Sequence, residues 1–508
     1  MKRHDVLLLI ILCGLTAIIF GYFSLFYVDI HHDFIMFKPA VDVARGKMLF
    51  RDTFVQHGAL TTLFQAAAVK LFGEYLAVIR LQTVFFYVAT VAVLYFIWSK
   101  FLSRRDVVVA MLFWIALAPF YTFMPFQPWS SVYSLFFQSV ALLLFLKFCE
   151  TERARYIFFC GISAALTFWS RTPVGVFLIG AVAIFFPAIS FFGSLSRKKS
   201  TRFFLWFLSG VIVGVIPMFL WFIAAGALRD WWLQSIVYGR EFAKVTRGIT
   251  LFQLIKSLTI SRYWTTLYLY GIWLAIPLTS LYLVVREGIH LWGHRQPLGS
   301  LSVRLFGAGL ILLASWMQYY PVTEEGHFFW AVSPMIGFFI FVMFRRKLLR
   351  VALTVAIIVF FLLRISLGLQ KTQNAHVPVS YPAFLAGMKT TAQEAAYLTQ
   401  VSTILDQYLT DHPDKTYINL TADAYFSMIN PRYRDFHMLY VNWPMVYPMY
   451  PDYVPSYTAY IQANSPVLIT RTTPAPAGYC EIPLPQIMTP PIALYAPCGG
   501  PVSPAGGQ

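Results

Sequence analysis

The sequence predicts an all-α polytopic membrane protein of about eleven transmembrane helices, followed by a small α/β domain outside the membrane. Three observations carry this. Apolar residues make up 58% of the 508-residue chain and charged residues only 12%, against about 25% charged in a soluble domain. Apolar runs long enough to cross a bilayer recur through residue 370. The composition then turns polar near Gln370. A soluble fold has too little polar surface to cover such a core, and disordered chains are poor in apolar residues.

A spanning helix needs about 20 mostly apolar residues. The segments that answer to this are 6–27, 75–97, 107–123, 129–146, 156–170, 174–192, 203–226, 263–285, 305–319, 328–343 and 351–369. The first is too long for a signal peptide, and no small-residue cleavage site follows it. With the N-terminus on the cytoplasmic side, the inward segments hold 19 Lys plus Arg in 58 residues. The outward loops 28–74, 124–128, 227–262 and 320–327 hold 11 in 96. This is the positive-inside asymmetry, and it accounts for most of the net charge of +17. The charge thus calls for no nucleic acid: no basic run interleaved with aromatics is present. An odd number of spans puts the C-terminus outside. The expected location is the inner (cytoplasmic) membrane, with residues 371–508 periplasmic or otherwise extracytoplasmic and residues 1–370 as the membrane domain.

In the tail, Thr391-Ala-Gln-Glu394 has the form of a capping box. Leu398, Val401, Leu405 and Tyr408 follow at helical spacing. Lys415–Thr421 and Val467–Thr472 read as strands, and Pro431 to Tyr460 as a long irregular loop. Asn419-Leu-Thr421 fits a glycosylation sequon, a pattern that matches easily. Cys480 and Cys498 can form a bridge if the tail faces an oxidising compartment. No CxxC pair exists, so a thiol metal site has no support.

Function tends to sit in long loops held by a rigid scaffold, which here lie outside. The first begins Asp29-Ile-His-His-Asp33, and continues through Asp42 and Asp52 to Gln56-His57-Gly58. Residues 61–72 read as an interfacial helix. Carboxylates and imidazoles at a membrane boundary are costly unless used or solvated. Arg171 stands at an outward turn between two apolar segments, where a phosphate is a fitting partner for its bidentate fork. The last loop carries Glu324, Glu325 and His327. Arg80, near the outer end of the second span, reads as a structural cap or pair. His31, His32, Asp29 and Asp33 are the ligand types of a divalent metal site; no cofactor is required by the sequence, and a divalent metal is left open.

Together these features resemble the C superfamily of glycosyltransferases, multi-spanning enzymes that use polyprenyl-phosphate-linked sugars. Protein O-mannosyltransferases and the lipid A aminoarabinose transferase are members. The resemblance lies in the acidic motif Asp29–Asp33 after the first span. It continues in Gly46-Lys-Met-Leu-Phe-Arg-Asp52, His57-Gly-Ala-Leu60, Leu71-Phe-Gly73 and Ile79-Arg-Leu81, then in Arg171 at the hairpin turn and Gly326-His327-Phe-Phe-Trp330 before a late span. The chain departs from many members in having His32-Asp33 where they carry Asp-Glu, and Arg171 where they often carry Lys.

The resemblance implies transfer of a sugar from a polyprenyl-phosphate donor to an acceptor hydroxyl outside the membrane, on a glycan, glycolipid or protein. It implies Asp33 as general base, with Asp29 the second choice, and Arg171 on the lipid phosphate. His32, Asp52, His57, Glu324 and His327 are then substrate-binding. A single displacement inverts the anomeric centre. The rival reading is a transporter or lipid flippase. Such proteins place charges along a path inside the bundle, often with internal repeats; here the charges gather outside and no repeat is visible. A scaffold whose tail binds a partner is a third reading.

Overall fold

The structure is a computed structural model that describes residues 3–122, 124–246, 264–319, 325–436, 449–471, 475–484 and 492–498. It is a helical membrane protein with a small strand-containing tail. Among the described residues, nine helices are long and apolar enough to cross a membrane: Arg3–Ser24, Leu76–Trp98, Ser130–Thr151, Thr172–Phe191, Arg197–Ala224, Gly271–Gly293, Leu301–Tyr319, Glu325–Met343 and Lys347–Thr372. The other two expected spans are helical but shorter, Arg104–Ala116 with 13 residues and Ala154–Ser170 with 17. Pro119 and Pro173 stand just beyond their ends, and a proline cannot continue a helix ladder. Both nonetheless run from one end of the bundle towards the other. Arg104 pairs with Asp5 near the start of the first helix, while the carbonyls of Ala116 and Ala118 meet Arg364 deep in the last span.

One end of the bundle is tied by ion pairs between the short basic segments: Arg104–Asp5, Lys100–Glu150, Arg304–Glu150, Lys199–Glu152 and Arg350–Asp106. Exposed pairs of this kind contribute about 0–1 kcal/mol each. The outer wall is apolar: Leu7, Ile10, Ile18, Val213, Leu220, Leu348 and Leu362 are exposed. That inverted pattern suits a chain whose surroundings are hydrocarbon.

Helix packing without a hydrophobic drive relies on close backbone approach through small residues. Ala154–Ser170 and Arg197–Ala224 meet in this way. A Cβ on Gly161 would lie 2.2 Å from the Phe207 carbonyl oxygen, and one on Gly210 would lie 2.0 Å from that of Phe158.

After the last span the chain forms the helix Ala392–Asp411, capped by the Thr391 side chain, which accepts from the Glu394 N–H. A four-stranded sheet follows in the spatial order Tyr417–Asn419, Val467–Arg471, Ile492–Pro497, Tyr479–Ile482. The first pair is parallel and the other two are antiparallel. Cys480 and Cys498 are joined by a disulfide. Within the stretch read as irregular, the structure places a helix, Tyr453–Asn464; Tyr453, Tyr457, Tyr460 and Ile461 share one face at helical spacing. Asn419 is 1% exposed, and its amide bonds the Asp423 carbonyl and Ser427, so the sequon is built into the core. Of the Pro/Gly/Ala-rich last dozen residues, 499–508 lie outside the described chain.

The tail reaches back to the first loop. Lys389 N–H donates to the Leu25 carbonyl at 2.8 Å, and Tyr27 N–H donates to that of Lys389 at 2.7 Å. Tyr425 N–H donates to the Ile30 carbonyl at 3.2 Å. Gly161→Leu is expected to lower stability by about 1–3 kcal/mol through overpacking. Thermal unfolding of the purified variant in detergent checks this, and an unchanged midpoint refutes the close-contact account.

Candidate active site

The loop after the first span is held by a buried ion pair. Asp33 and Arg80 are both fully buried. The Arg80 guanidinium meets both Asp33 oxygens, Nε at 3.1 Å and Nη2 at 2.5 Å. Its Nη1 donates to the Ser24 and Phe26 carbonyls at 2.9 and 3.1 Å, closing acceptors that the end of a helix leaves open. Asp33 also accepts the Asp29 N–H at 2.8 Å. Every strong contact of Asp33 is thus internal, and it does not line the adjoining cavity.

Asp29 sits one turn earlier, where residues 25–31 enter the helix His32–Ala44. Its carboxylate accepts the N–H groups of His31 and His32 at 3.0 and 2.8 Å. It also bonds the His32 Nδ1 at 2.8 Å. Burial pushes this carboxyl up, but the hydrogen bond and charge of His32 outweigh it and hold Asp29 well below the usual carboxylate range. A carboxylate on Nδ1 fixes the imidazole tautomer and leaves Nε2 as the basic nitrogen. His32 lines the cavity beside Trp129, with ring centroids 5.4 Å apart. His31 also touches the cavity but turns its Nδ1 to the tail, 2.8 Å from the Ala422 carbonyl and 3.8 Å from Asp423.

The cavity has a volume of about 290 Å³. It is walled by His31, His32, His57, Trp129, Arg171 and His327 with parts of 124–130, 172–173 and 234–242. Arg171 ends one helix and starts the next, Thr172–Phe191. Its guanidinium donates to Ser131 Oγ, to the Gln318 carbonyl at 3.1 Å and towards His327 Nδ1 at 3.3 Å. No carboxylate among the described residues pairs with it. The loop at His57 runs directly beneath this turn. A Cβ on Gly58 would lie 2.0 Å from the Ser170 carbonyl oxygen, so only glycine allows the approach. Burial and the Arg171 charge hold the His57 imidazole well below its usual range, and the ring is neutral as it packs on Trp129 at 4.4 Å. Arg364 braces the far wall, bonding Ala116 and Ala118 carbonyls, Thr122 and Glu325.

Of the residues singled out from the sequence, His32, His57, Arg171 and His327 converge on the cavity, with Asp29 behind His32. Asp33 does not: it is held by Arg80 and lies off the cavity wall. Asp52 does not either: its carboxylate caps the turn by accepting the Met48 N–H at 2.8 Å and pairs with Arg51. Glu324 lies outside the described residues. The four residues considered as metal ligands form no such cluster, since Asp33 is taken up by Arg80 and His31 faces the tail; among the described residues no group of three or more His, Cys, Asp or Glu side chains converges in this way. Tyr238, at the head of the Tyr238-Gly-Arg-Glu-Phe242 stretch whose charges read from sequence as solvated, lines the cavity, as do Trp129, Ser130 and Gln127, which the sequence reading did not mark as site residues. Their only signal is polarity beside the ends of apolar segments, which solvated turns share.

Removing one partner of a buried ion pair costs about 3–5 kcal/mol, so Asp33→Ala is expected to lower the unfolding midpoint sharply in detergent. Asp29→Asn keeps one capping oxygen and should cost about 1 kcal/mol or less. Equal melting of the two variants would remove the distinction between a structural and a chemical carboxylate.

Residues 56–221 match the family model described as dolichyl-phosphate-mannose-protein mannosyltransferase. No curated protein sequence matches the chain. Two solved structures are similar in shape. The Archaeoglobus fulgidus oligosaccharyltransferase has a TM-score of 0.49 at 13% identity, covering 92% of this chain and 70% of that one. The arabinofuranosyltransferase from Mycobacteria has a TM-score of 0.48 at 13% identity, covering 96% of this chain and 39% of that one. The matched stretch holds His57, Arg80, Trp129 and Arg171, four of the residues that build the site.

Proposed function

We propose that the cavity transfers a sugar from a polyprenyl-phosphate donor to an acceptor hydroxyl outside the membrane. The observation that carries this is the pairing, across one cavity, of a guanidinium without a carboxylate partner and an imidazole aligned by a carboxylate. An uncompensated cation at membrane depth is costly, and a lipid phosphate supplies the missing charge. Negative charge grows on that phosphate as the sugar leaves, so a fixed cation there favours the transition state over the ground state.

In the reaction, the acceptor oxygen bonds to the anomeric carbon as the bond from that carbon to the phosphate oxygen breaks. The electron pair stays on the departing polyprenyl phosphate. The acceptor proton passes to the Asp29–His32 dyad, with His32 as the member that lines the cavity and Asp29 stabilising the imidazolium. A direct displacement inverts the anomeric centre. His57 and His327 flank Arg171 and shape the donor's headgroup seat. A lipid-linked donor fits a site beyond the reach of nucleotide sugars. The disulfide in the tail suits an oxidising compartment, in line with a periplasmic or extracytoplasmic C-terminal domain (residues 371–508) and a cytoplasmic N-terminus. The membrane part is then residues 1–370. A divalent metal is left open by this reading.

The purified protein in lipid is expected to release polyprenyl phosphate from a donor panel when an acceptor is supplied. Asp29→Asn should lower the rate by about 100-fold or more, the scale of lost general-base catalysis, while keeping donor binding. Arg171→Gln should weaken donor binding itself. Full activity in both Asp29→Asn and Asp33→Asn would sink the carboxylate mechanism. Substrate counterflow without covalent change would favour a transporter.

A further inference from the structure

The cavity carries more hydrogen-bonding capacity than phosphate and base require. Among the described residues, His57 Nε2, Trp129 Nε1, Ser130 Oγ and the Tyr238 hydroxyl are buried and have no hydrogen-bond partner. Tyr238 is 2% exposed, Trp129 6% and Ser130 1%. All four residues line the same cavity. Folded proteins leave few such groups, and each calls for an explanation. Four around one cavity are explained by a ligand that bonds them all.

The backbone is arranged to present one of them. Residues Leu233–Val237 form a single π-helical turn directly before Tyr238. Such turns occur mostly as one-turn insertions and frequently at functional sites. Gln234 locks this turn onto the first loop: its amide donates to the Phe50 carbonyl at 2.8 Å and accepts the Val55 N–H at 2.8 Å. Phe54 packs edge-on against the Tyr238 ring at 5.5 Å. Tyr238, a lining residue, is therefore held in place by elements on both sides.

The chemistry of the four groups selects the ligand. Ser130 and Tyr238 each donate and accept, Trp129 only donates, and His57 does one or the other according to tautomer. Vicinal sugar hydroxyls, which both donate and accept, match this mixture. Arg171 is the fixed charge of the cavity wall, and no acidic side chain lines it among the described residues. Among the described lining residues, a sugar ammonium would meet a cation and no carboxylate. A sugar carboxylate would compete with the donor's own phosphate for Arg171. We propose that Trp129, Ser130, Tyr238 and His57 form a subsite for the sugar ring of the lipid-linked donor, and that this subsite takes a neutral sugar in preference to an amino sugar or a uronic acid. The proposal rests on the reading of the cavity as a donor site.

The test uses the full-length protein in nanodiscs and five probes: bare polyprenyl phosphate, and polyprenyl phosphate carrying a neutral hexose, a neutral pentose, a 4-amino-4-deoxypentose or a hexuronic acid. The native protein is expected to bind a neutral-sugar donor more tightly than either charged one. Tyr238→Phe and Ser130→Ala, which remove a hydroxyl with little change in volume, should each weaken neutral-donor binding about three- to tenfold, the scale of one lost hydrogen bond. Neither should alter binding of bare polyprenyl phosphate, whereas Arg171→Gln should weaken both. Equal loss for the bare and sugar-bearing probes, or charged donors bound as tightly as neutral ones, would overturn the subsite and leave the donor site standing. Absence of binding to all five probes by the native protein would overturn both.

Discussion

The Asp33–Arg80 ion pair is the constraint on which the site depends. Buried ion pairs rarely add net stability, because the cost of taking both charges out of water offsets their attraction. What this one supplies is geometry. Its guanidinium joins the second long span to the carbonyls of Ser24 and Phe26, where the first span ends. Its carboxylate holds the backbone of Asp29. The first loop is thereby clamped against the end of the first span, and Asp29 is left with its oxygens turned to His31 and His32. One carboxylate is spent on position so that another, four residues away, keeps its side chain on His32, which lines the cavity.

The rest of the site is assembled by elements far apart in the chain. Gly58 lets the first loop slide under the Arg171 turn. Gln234 ties the segment after the span Arg197–Ala224 to the same loop. The tail closes the opposite side, with Ala422 against His31 and Tyr425 against Ile30. Arg364 enters from the last span and joins the 116–122 segment to Glu325, two residues before His327. These contacts explain how a polar cavity persists at a membrane boundary: each wall is fixed by hydrogen bonds made outside the cavity, so the lining groups need not satisfy one another.

Electrostatics divide the labour between the two ends of the bundle. At one end the basic segments find acids and form exposed pairs of small energy. At the other, Arg171 is surrounded by a hydroxyl, a carbonyl and an imidazole, dipoles that orient the guanidinium without neutralising it. A cation held this way keeps its field for a ligand, and the neighbouring His57 is kept neutral by burial and by that same charge.

The sequence by itself determined the class, the number of long apolar segments to within two, the polar tail with its capping box at Thr391, and the side of the bundle on which polar chemistry gathers. These are legible because hydrophobic length and period are properties of consecutive residues. It also singled out Arg171, His57 and His327, since a charged or imidazole group beside a span is conspicuous wherever it stands. Only the tertiary structure separated the surroundings of Asp29 from those of Asp33. Both are acids in the same short motif, and what separates them is Arg80, 47 positions further on, which reaches one and not the other. The same holds for Asp52, turned back onto its own backbone, and for Trp129, Ser130 and Tyr238. Their roles follow from which distant segments face them across the cavity, and no local pattern encodes that.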